Sequence, residues 1–384
     1  MHNEKFFVPD LNYDQEGFDV LTILGKHPTK GEIGIEIECE GNKFPKQNNL
    51  LPPLWNYTHD GSLRGKDNAE YVLKSPIAFK EVKDAVFDLY KTLADYGTVL
   101  DDSNRTSVHV HLNVQTFHLP RLTSFLALYF SLEEILTEWC GDHRVGNLFC
   151  LRAKDAPAIV SKIKKWIVND GRTELTEGLH YSGMNTQALI KFGSLEIRSL
   201  RGVTDPGTVV QWVGVLERIY NLSAEYPDPR GITENFSGND PIDYLRGVLG
   251  EHYDTVRASV SMNDDAIRQS MYEGIRLAQD LCYCRDWSRY KPVTRSTDPF
   301  GRNKKKMSPL QQAYANIGAP MPSHMIYDEA QYISPTLNTA WAQAAAQVPT
   351  PTPWLNPFAE TPPEEEEVED DYEPEEDYDP DEEE

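Results

Sequence analysis

Three segments of this chain alternate apolar and polar residues with a period of two, the pattern of a strand with one buried face. In "GEIGIEIECEG" (31–41), three isoleucines and Cys39 share one face, and glutamates occupy most of the other. "TSVHVHLNV" (106–114) separates valine and leucine from serine, histidine and asparagine, and "GSLEIRSLRG" (193–202) separates its apolar residues from Glu196 and Arg198. We therefore predict three half-buried strands, each with a polar face.

The segments between these strands predict a hairpin and several helices. Asp60-Gly61 is a hairpin-type turn signal within "LWNYTHDGSLRGKDNAEYVLKSP", which holds two strand-like runs. Pro206, after a capping Thr204 or Asp205, predicts the start of a helix. Apolar residues at helical spacing predict further helices over 80–96, about 120–140, 156–169 and most of 241–287. Hairpins and helices are mixed rather than arranged as β-α-β units, so the predicted fold class is α+β with a largely antiparallel sheet.

Charge is distributed unevenly along the 384 residues. Of the formal net charge of −24, residues 360–384 contribute −17, because they contain 17 acidic residues and no lysine or arginine. This tail cannot bury a core against its own repulsion, so we predict that it is disordered. The Pro-rich stretch before it predicts an extended linker. The tail is typical of a solubilising appendage, and the alternative is that it binds a basic partner.

Composition excludes several classes of protein. "MHNEKFFVPD" at the start lacks the basic and apolar regions of a secretory signal, and the most apolar stretch, "LTSFLALYF", is too short to span a bilayer. Five cysteines at irregular spacing favour reduced thiols over a disulfide framework. "GRNKKK" (301–306) predicts a solvated loop rather than a nucleic-acid site, since no aromatic residues are interleaved with it. We therefore predict a cytoplasmic protein without membrane or nucleic-acid partners.

The polar faces of the predicted strands carry residue types that bind metal ions. Spacing of i, i+2 puts each pair on one face of the sheet, and the hairpin adds two acids. These residues are Glu36, Glu38, Asp60, Glu70, His109, His111, Glu196 and Arg198. If the faces line one cavity, carboxylates about 4 Å apart repel by roughly 4 kcal/mol per pair at an effective dielectric near 20. Such a cluster stays ionised only around cations, and oxygen ligands with imidazoles suit Mg²⁺ or Mn²⁺. For any single pair, the alternative is a solvated strand face or a salt bridge within that face.

The order of these motifs resembles the amidoligase family: Glu-x-Glu, Asp-Gly-Ser with a following Glu, His-x-His, then Glu-x-Arg. The matching stretches are "GIEIE" (34–38), "DGSL" (60–63), "AEYVLKSP" (69–76), "VHVHLNV" (108–114) and "SLEIRSLRG" (194–202). Amidoligases are carboxylate–amine ligases of bacteria and their phages with a glutamine synthetase-like catalytic fold. The resemblance implies an amidoligase-like catalytic domain over 1–290. A C-terminal extension over 291–345 follows, and then the Pro-rich linker and acidic tail over 346–384. The expected location is the cytoplasm, or the host cytoplasm if a phage encodes the protein.

The resemblance also implies two Mg²⁺ or Mn²⁺ ions and bound ATP. One ion would have three acidic ligands: Glu38, Asp60 and Glu70. The other ion, which contacts the γ-phosphate of ATP, would have two acids and one imidazole as ligands: Glu36, Glu196 and His109. His111 would approach the nucleotide phosphates. Arg198, with Arg201 as a second candidate, would neutralise charge on the phosphoryl group during transfer.

The reaction implied by the resemblance has two steps. A substrate carboxylate attacks the γ-phosphate to give an acyl phosphate, and an amine then displaces phosphate to form an amide. The sequence does not identify the carboxylate or the amine. Two alternatives stay open: a phosphotransferase like the guanidino kinases, which share this superfold, and a non-enzymatic binding or virion-associated protein on the same fold.

Overall fold

The computed structural model describes residues 20, 29–64, 67–171, 175 and 181–288 of the chain. Three predicted segments lie outside the described residues: the extension over 291–345, the linker and tail over 346–384, and the basic stretch 301–306. The predictions for these three segments therefore stay predictions. All the strand motifs that carry the resemblance to amidoligases lie within the described part of the chain.

One sheet of seven strands forms the centre of the described structure. The strands are β1 (Ile33–Asn42), β2 (Trp55–Thr58), β3 (Asp67–Leu73), β4 (Val99–Leu100), β5 (Ser107–Asn113), β6 (Met184–Asn185) and β7 (Ser194–Arg201). Their order is β2-β3-β1-β5-β7-β6, with the short β4 also paired to β1. Each of these pairings is antiparallel. The predicted hairpin and the three predicted strands are confirmed. The strands are not half-buried, however, because the polar faces of β1, β5 and β7 are mostly buried as well.

The described residues also form nine α-helices. They are α1 (Val82–Tyr96), α2 (Leu119–Cys140), α3 (Ala158–Val168), α4 (Gln187–Phe192), α5 (Pro206–Leu222), α6 (Arg230–Ser237), α7 (Pro241–Leu249), α8 (Tyr253–Ser259) and α9 (Asp264–Cys282). Asp205 caps α5 by accepting hydrogen bonds from the backbone of Gly207 and Thr208, and Pro206 is the first helical residue. Gly97 ends α1 in a left-handed conformation with φ of 79°. The mixture of helices with a mostly antiparallel sheet confirms the predicted α+β class.

The apolar face of the sheet packs into the core. Ile33, Ile35 and Ile37 of β1 are at most 1% exposed and belong to one buried cluster with residues of α1 and α2. The helix α2 is buried along most of its length, and α9 crosses it closely. The crossing requires a glycine, because a Cβ at Gly274 would lie 2.6 Å from the carbonyl oxygen of Ser131. Since the core takes up the apolar face, the polar side chains of the same strands project from the opposite face.

Two predictions about the class of protein bear on this fold. No helix among the described residues is both long enough and apolar enough to cross a membrane. All five cysteines are free thiols, as their irregular spacing predicted.

Four short elements were not predicted: β4, β6, α4 and α6. They span between two and eight residues, which is too short for a hydrophobic period to show in the sequence.

Candidate metal centre

The register of the strands brings the predicted polar residues together in rows across one face of the sheet. Glu38 of β1 lies opposite Glu70 of β3, and Glu36 lies opposite His109 of β5. His111 lies opposite Glu196 of β7. Directly opposed residues have their Cβ atoms about 4.5–5.5 Å apart. Residues that are more than 150 positions apart in the sequence therefore meet because four strands pair in this register.

The first candidate metal group consists of Glu38, Asp60 and Glu70. One carboxylate oxygen of each lies within 4.8 Å of the others. Glu38 and Glu70 come from paired strands, whereas Asp60 lies in the loop between β2 and β3. The two oxygens of Asp60 accept hydrogen bonds of 2.7 Å from the backbone N–H and the hydroxyl of Ser62, which orients the loop carboxylate.

The second candidate metal group consists of Glu36, His111 and Glu196, whose ligand atoms also lie within 4.8 Å of one another. Nε2 of His111 is 3.1 Å from Oε1 of Glu36, and its Nδ1 is 3.3 Å from Oγ of Ser194. The side-chain amide of Asn185 donates a hydrogen bond of 2.6 Å to Oε2 of Glu196. The resemblance assigned the same two glutamates to the second ion, but with His109 instead of His111 as the imidazole ligand.

His109 lies between the two groups. Its Nδ1 is 3.2 Å from Oε2 of Glu36 and 3.5 Å from Oε1 of Glu196, and its Nε2 is 3.6 Å from Oε1 of Glu38. The structure therefore brings both imidazoles to Glu36. The assignment of His109 to the second ion and of His111 to the nucleotide phosphates stays a prediction.

Burial and mutual repulsion dominate the electrostatics of the first group. Glu38 is 5% exposed. Burial is the main reason why the pKa values of Glu38 and Glu70 are raised, and for Glu70 the charges of Glu36 and Glu38 raise it further. The acids of the second group behave differently. Burial opposes their ionisation, but the charge of His111 on Glu36, and of Arg198 on Glu196, helps to hold these two pKa values below their ordinary range. Burial and neighbouring negative charges thus oppose ionisation in the first group, whereas neighbouring positive charges favour it in the second.

The two predicted arginines occupy different surroundings. Nη1 of Arg198 donates a hydrogen bond of 2.5 Å to Oε1 of Glu196, and its buried Nε has no hydrogen-bond partner among the described residues. Nη1 of Arg201 instead donates to the carbonyl of Cys140 at the end of α2. That contact suits a helix C-terminus, where carbonyl groups are unpaired and the dipole favours cations. Of the two arginines, Arg198 is the one in contact with a candidate metal ligand.

Several residues that contact the two groups were not among the predicted site residues. Asn185 and Ser194 hold second-group ligands, and Ser107 contacts both Glu38 and His109. The ammonium of Lys191 lies 4.7 Å from the ring centre of Phe192, and that ring meets His111 edge-on. Burial lowers the pKa of Lys191, while the charges of Glu36 and Glu196 raise it. Ser107 and Ser194 carried a sequence signal, because Ser107 shares the polar face of β5 with the two histidines and Ser194 shares that of β7 with Glu196.

The residue types present fit hard divalent cations. Five carboxylates and two imidazoles, all buried or half-buried, face one another beside the half-buried Arg198. Oxygen with some imidazole nitrogen is the donor set that Mg²⁺ and Mn²⁺ accept. A bound cation would also offset the repulsion between the carboxylates of the first group.

No protein-family model matches the chain, and no curated protein matches it.

Proposed function

We propose that the protein is an ATP-dependent carboxylate–amine ligase with a glutamine synthetase-like catalytic fold, as its resemblance to the amidoligases implies. The observation that carries the proposal is the pair of metal-ligand groups on one face of the antiparallel sheet, with His109 between them and Arg198 beside them. Two divalent ions held side by side are suited to the phosphates of a nucleotide.

Each ion would have its own set of ligands. Glu38, Asp60 and Glu70 would hold the first, and Glu36 and Glu196 would hold the second with one of the two histidines. When bound, the two ions neutralise charge on the phosphate oxygens and orient the γ-phosphoryl group. The protein's contribution is to keep these ligands fixed: Asn185, Ser62 and Ser107 each donate a hydrogen bond to one of the carboxylates.

The reaction proceeds in two displacements. Attack of a substrate carboxylate oxygen on the γ-phosphorus forms an acyl phosphate and breaks the bond to ADP. Attack of the amine nitrogen on the acyl carbon then forms the amide and releases phosphate and a proton. Charge is spread over the phosphoryl oxygens during the first displacement, and fixed cations stabilise it. Arg198 contacts Glu196 of the second group directly, and the charges of Glu36 and Glu196 act on the ammonium of Lys191.

Burial of the centre suits an acyl phosphate, which water would hydrolyse. Glu38 is 5% exposed, and His109 and His111 are each 3% exposed. This low solvent exposure would protect an acyl phosphate formed beside these side chains from hydrolysis.

The experiment that tests the proposal measures ADP and free phosphate from ATP and Mg²⁺, with panels of carboxylates and amines. The ligase predicts that both products appear in equal amounts and that their formation requires a carboxylate. ADP without free phosphate in the presence of a guanidine would instead show a phosphotransferase. No turnover of ATP with any acceptor would exclude both enzymes and favour a binding protein.

A further inference from the structure

Ser107, the first residue of β5, connects the two metal groups. It is 4% exposed, and its Oγ lies 2.6 Å from Oε2 of Glu38 and 2.7 Å from Nε2 of His109. Its backbone N–H donates a hydrogen bond of 2.8 Å to the same oxygen of Glu38. One hydroxyl group therefore bridges a ligand of the first group to an imidazole that contacts both groups.

The hydroxyl has a single proton, so it can donate a hydrogen bond to only one of its two partners and must accept one from the other. A carboxylate that binds a metal ion can only accept hydrogen bonds. In the metal-bound protein the hydroxyl therefore donates to Glu38, and its oxygen accepts a hydrogen bond from His109. His109 must then carry its proton on Nε2. Because both hydrogen bonds from Ser107 end on Oε2 of Glu38, the Oε1 atom of that carboxylate is left for the first ion.

The other nitrogen of His109 faces the second group. Nδ1 lies 3.2 Å from Oε2 of Glu36 and 3.5 Å from Oε1 of Glu196. With the proton on Nε2, Nδ1 presents a lone pair toward these two carboxylates. That arrangement is unfavourable by itself, and it becomes favourable when a cation lies between the three atoms.

We propose that Ser107 is a positioning residue, which holds His109 in the Nε2–H tautomer so that Nδ1 binds the second ion together with Glu36 and Glu196. The inference rests on the proposed function, because it requires that the second ion binds. It assigns the ligand atom of His109, and it explains how ligation by Glu38 in the first group orients a ligand of the second.

The chain supplies a matched control beside β1. The hydroxyl of Ser103 donates a hydrogen bond of 2.6 Å to Oε2 of Glu40, which belongs to neither metal group. Deleting either hydroxyl removes one hydrogen bond to a glutamate of β1. Only the change at Ser107 also removes a contact with a histidine.

Binding of Mn²⁺ to the full chain tests the inference without requiring catalysis. We expect two sites in the unaltered protein. Ser107→Ala should weaken one of them by about 10-fold or more, the usual effect of removing a residue that orients a metal ligand. Ser107→Thr, which keeps the hydroxyl, should restore the affinity, and Ser103→Ala should change it by less than about 3-fold. Equal losses in both alanine variants, or no loss in Ser107→Ala, would overturn the role of Ser107.

Nitrogen NMR of the unaltered chain with ¹⁵N-labelled histidine gives a second readout that does not depend on the folding of a variant. In the Mg²⁺-saturated protein, the His109 ring should be protonated at Nε2, and the Mg²⁺-dependent shift should be at Nδ1. A proton on Nδ1 would refute the tautomer. If the unaltered protein binds no Mn²⁺, both the proposed function and this inference are wrong. Binding of two ions with a proton on Nδ1 refutes the inference alone.

Discussion

Arg198 donates a hydrogen bond of 2.5 Å from Nη1 to Oε1 of Glu196, two residues before it on β7. The i, i+2 spacing directs both side chains to the same face, so a candidate metal ligand and a fixed cation meet at one point. Burial lowers the pKa of Arg198, but the charges of Glu196 and Glu38 outweigh burial and keep the guanidinium cationic. A phosphoryl group bound at the second ion would therefore meet a positive charge that is already oriented.

Glu38→Gln should abolish most of the rise in melting temperature that Mg²⁺ or Mn²⁺ with ATP produces. A neutral amide binds these cations poorly, and ligands that bind the folded state raise its stability by mass action. Without metal, the variant should be as stable as the unaltered protein or more stable by about 1 kcal/mol, roughly 2–4 °C, because repulsion with Glu70 is relieved. Differential scanning fluorimetry with and without metal and ATP measures both effects.

Glu40→Gln is the control for this experiment. Glu40 follows Glu38 on the same face of β1, but its carboxylate accepts hydrogen bonds from the backbone of Arg64 and the hydroxyl of Ser103 instead of belonging to either metal group. Its variant should keep the metal-dependent shift. If Glu38→Gln unfolds the protein, or if both variants lose the shift equally, Glu38 is structural and the first metal site is wrong.

Glu133 predicts a pH dependence that is separate from the metal centre. It lies in α2, and burial raises its pKa to about 8, although it accepts a hydrogen bond of 2.7 Å from the backbone of Ala153. The folded chain therefore keeps a proton that the unfolded chain releases above about pH 4.5. The stabilisation from this group is fully present below that pH and is lost as the pH rises toward 8.

Glu133→Gln should consequently raise the melting temperature at pH 8 and change it little at pH 5. The amide keeps the carbonyl oxygen that Ala153 requires and cannot ionise. Thermal melts between pH 5 and pH 8.5 measure the difference between the two chains. Identical pH profiles would show that Glu133 does not hold a proton in the folded state.

Arg201→Gln should lower stability more than catalysis. Its guanidinium donates to the carbonyl of Cys140, so the change removes a contact at the C-terminus of α2 worth about 1 kcal/mol. We expect a lower melting temperature and a kcat within about 3-fold of the unaltered value at temperatures where the variant is folded. A loss of kcat as large as that from replacing Arg198 would make Arg201 catalytic as well.

Deleting residues 350–384 should leave the melting temperature and ATP binding unchanged. These residues hold the acidic tail and most of the Pro-rich linker, whose composition predicts neither a core nor matching basic charges. Thermal melts and nucleotide titration of the shortened chain measure both quantities. A large loss of either would mean that the tail docks on the rest of the protein.

The strands and long helices could be predicted because their patterns are local. The alternation in β1, β5 and β7 requires one buried face, and the capped start of α5 at Asp205 is visible in the sequence. The same alternation identified the candidate site, since it put Glu36, Glu38 and Glu196 on polar faces. The two-residue strand β6, which supplies Asn185, has no such pattern, so its contact with Glu196 could not be predicted.

The distances within the site depend on tertiary structure and were beyond the sequence. That His109 lies between both groups follows from the register of β1 against β5 and from the register shift between Val108 and Val110 of β5 against β7. Neither the strand register nor the position of the bulge can be inferred from the sequence of these motifs. The different environments of Arg198 and Arg201 arise similarly, because the contact of Arg201 with α2 joins segments 61 positions apart.

If an acyl phosphate forms beside Arg198, hydroxylamine traps it as a hydroxamate. ATP, Mg²⁺ and a panel of carboxylates are incubated with hydroxylamine, and hydroxamate is measured for the unaltered chain and for Arg198→Lys. Arg218→Lys is the control, because Arg218 donates to the backbone carbonyls of Gly247 and Val248. Titration of Mn²⁺ and ATP into each protein separates binding from chemistry.

We expect hydroxamate from the unaltered chain and from Arg218→Lys. Arg198→Lys should lower kcat by about 100-fold or more, because lysine keeps the charge but loses the planar fork that binds two phosphoryl oxygens. Its affinity for ATP and Mn²⁺ should change by less than about 3-fold. Full hydroxamate formation by Arg198→Lys would contradict the role of Arg198, and no hydroxamate from the unaltered chain with any carboxylate would contradict the ligase itself.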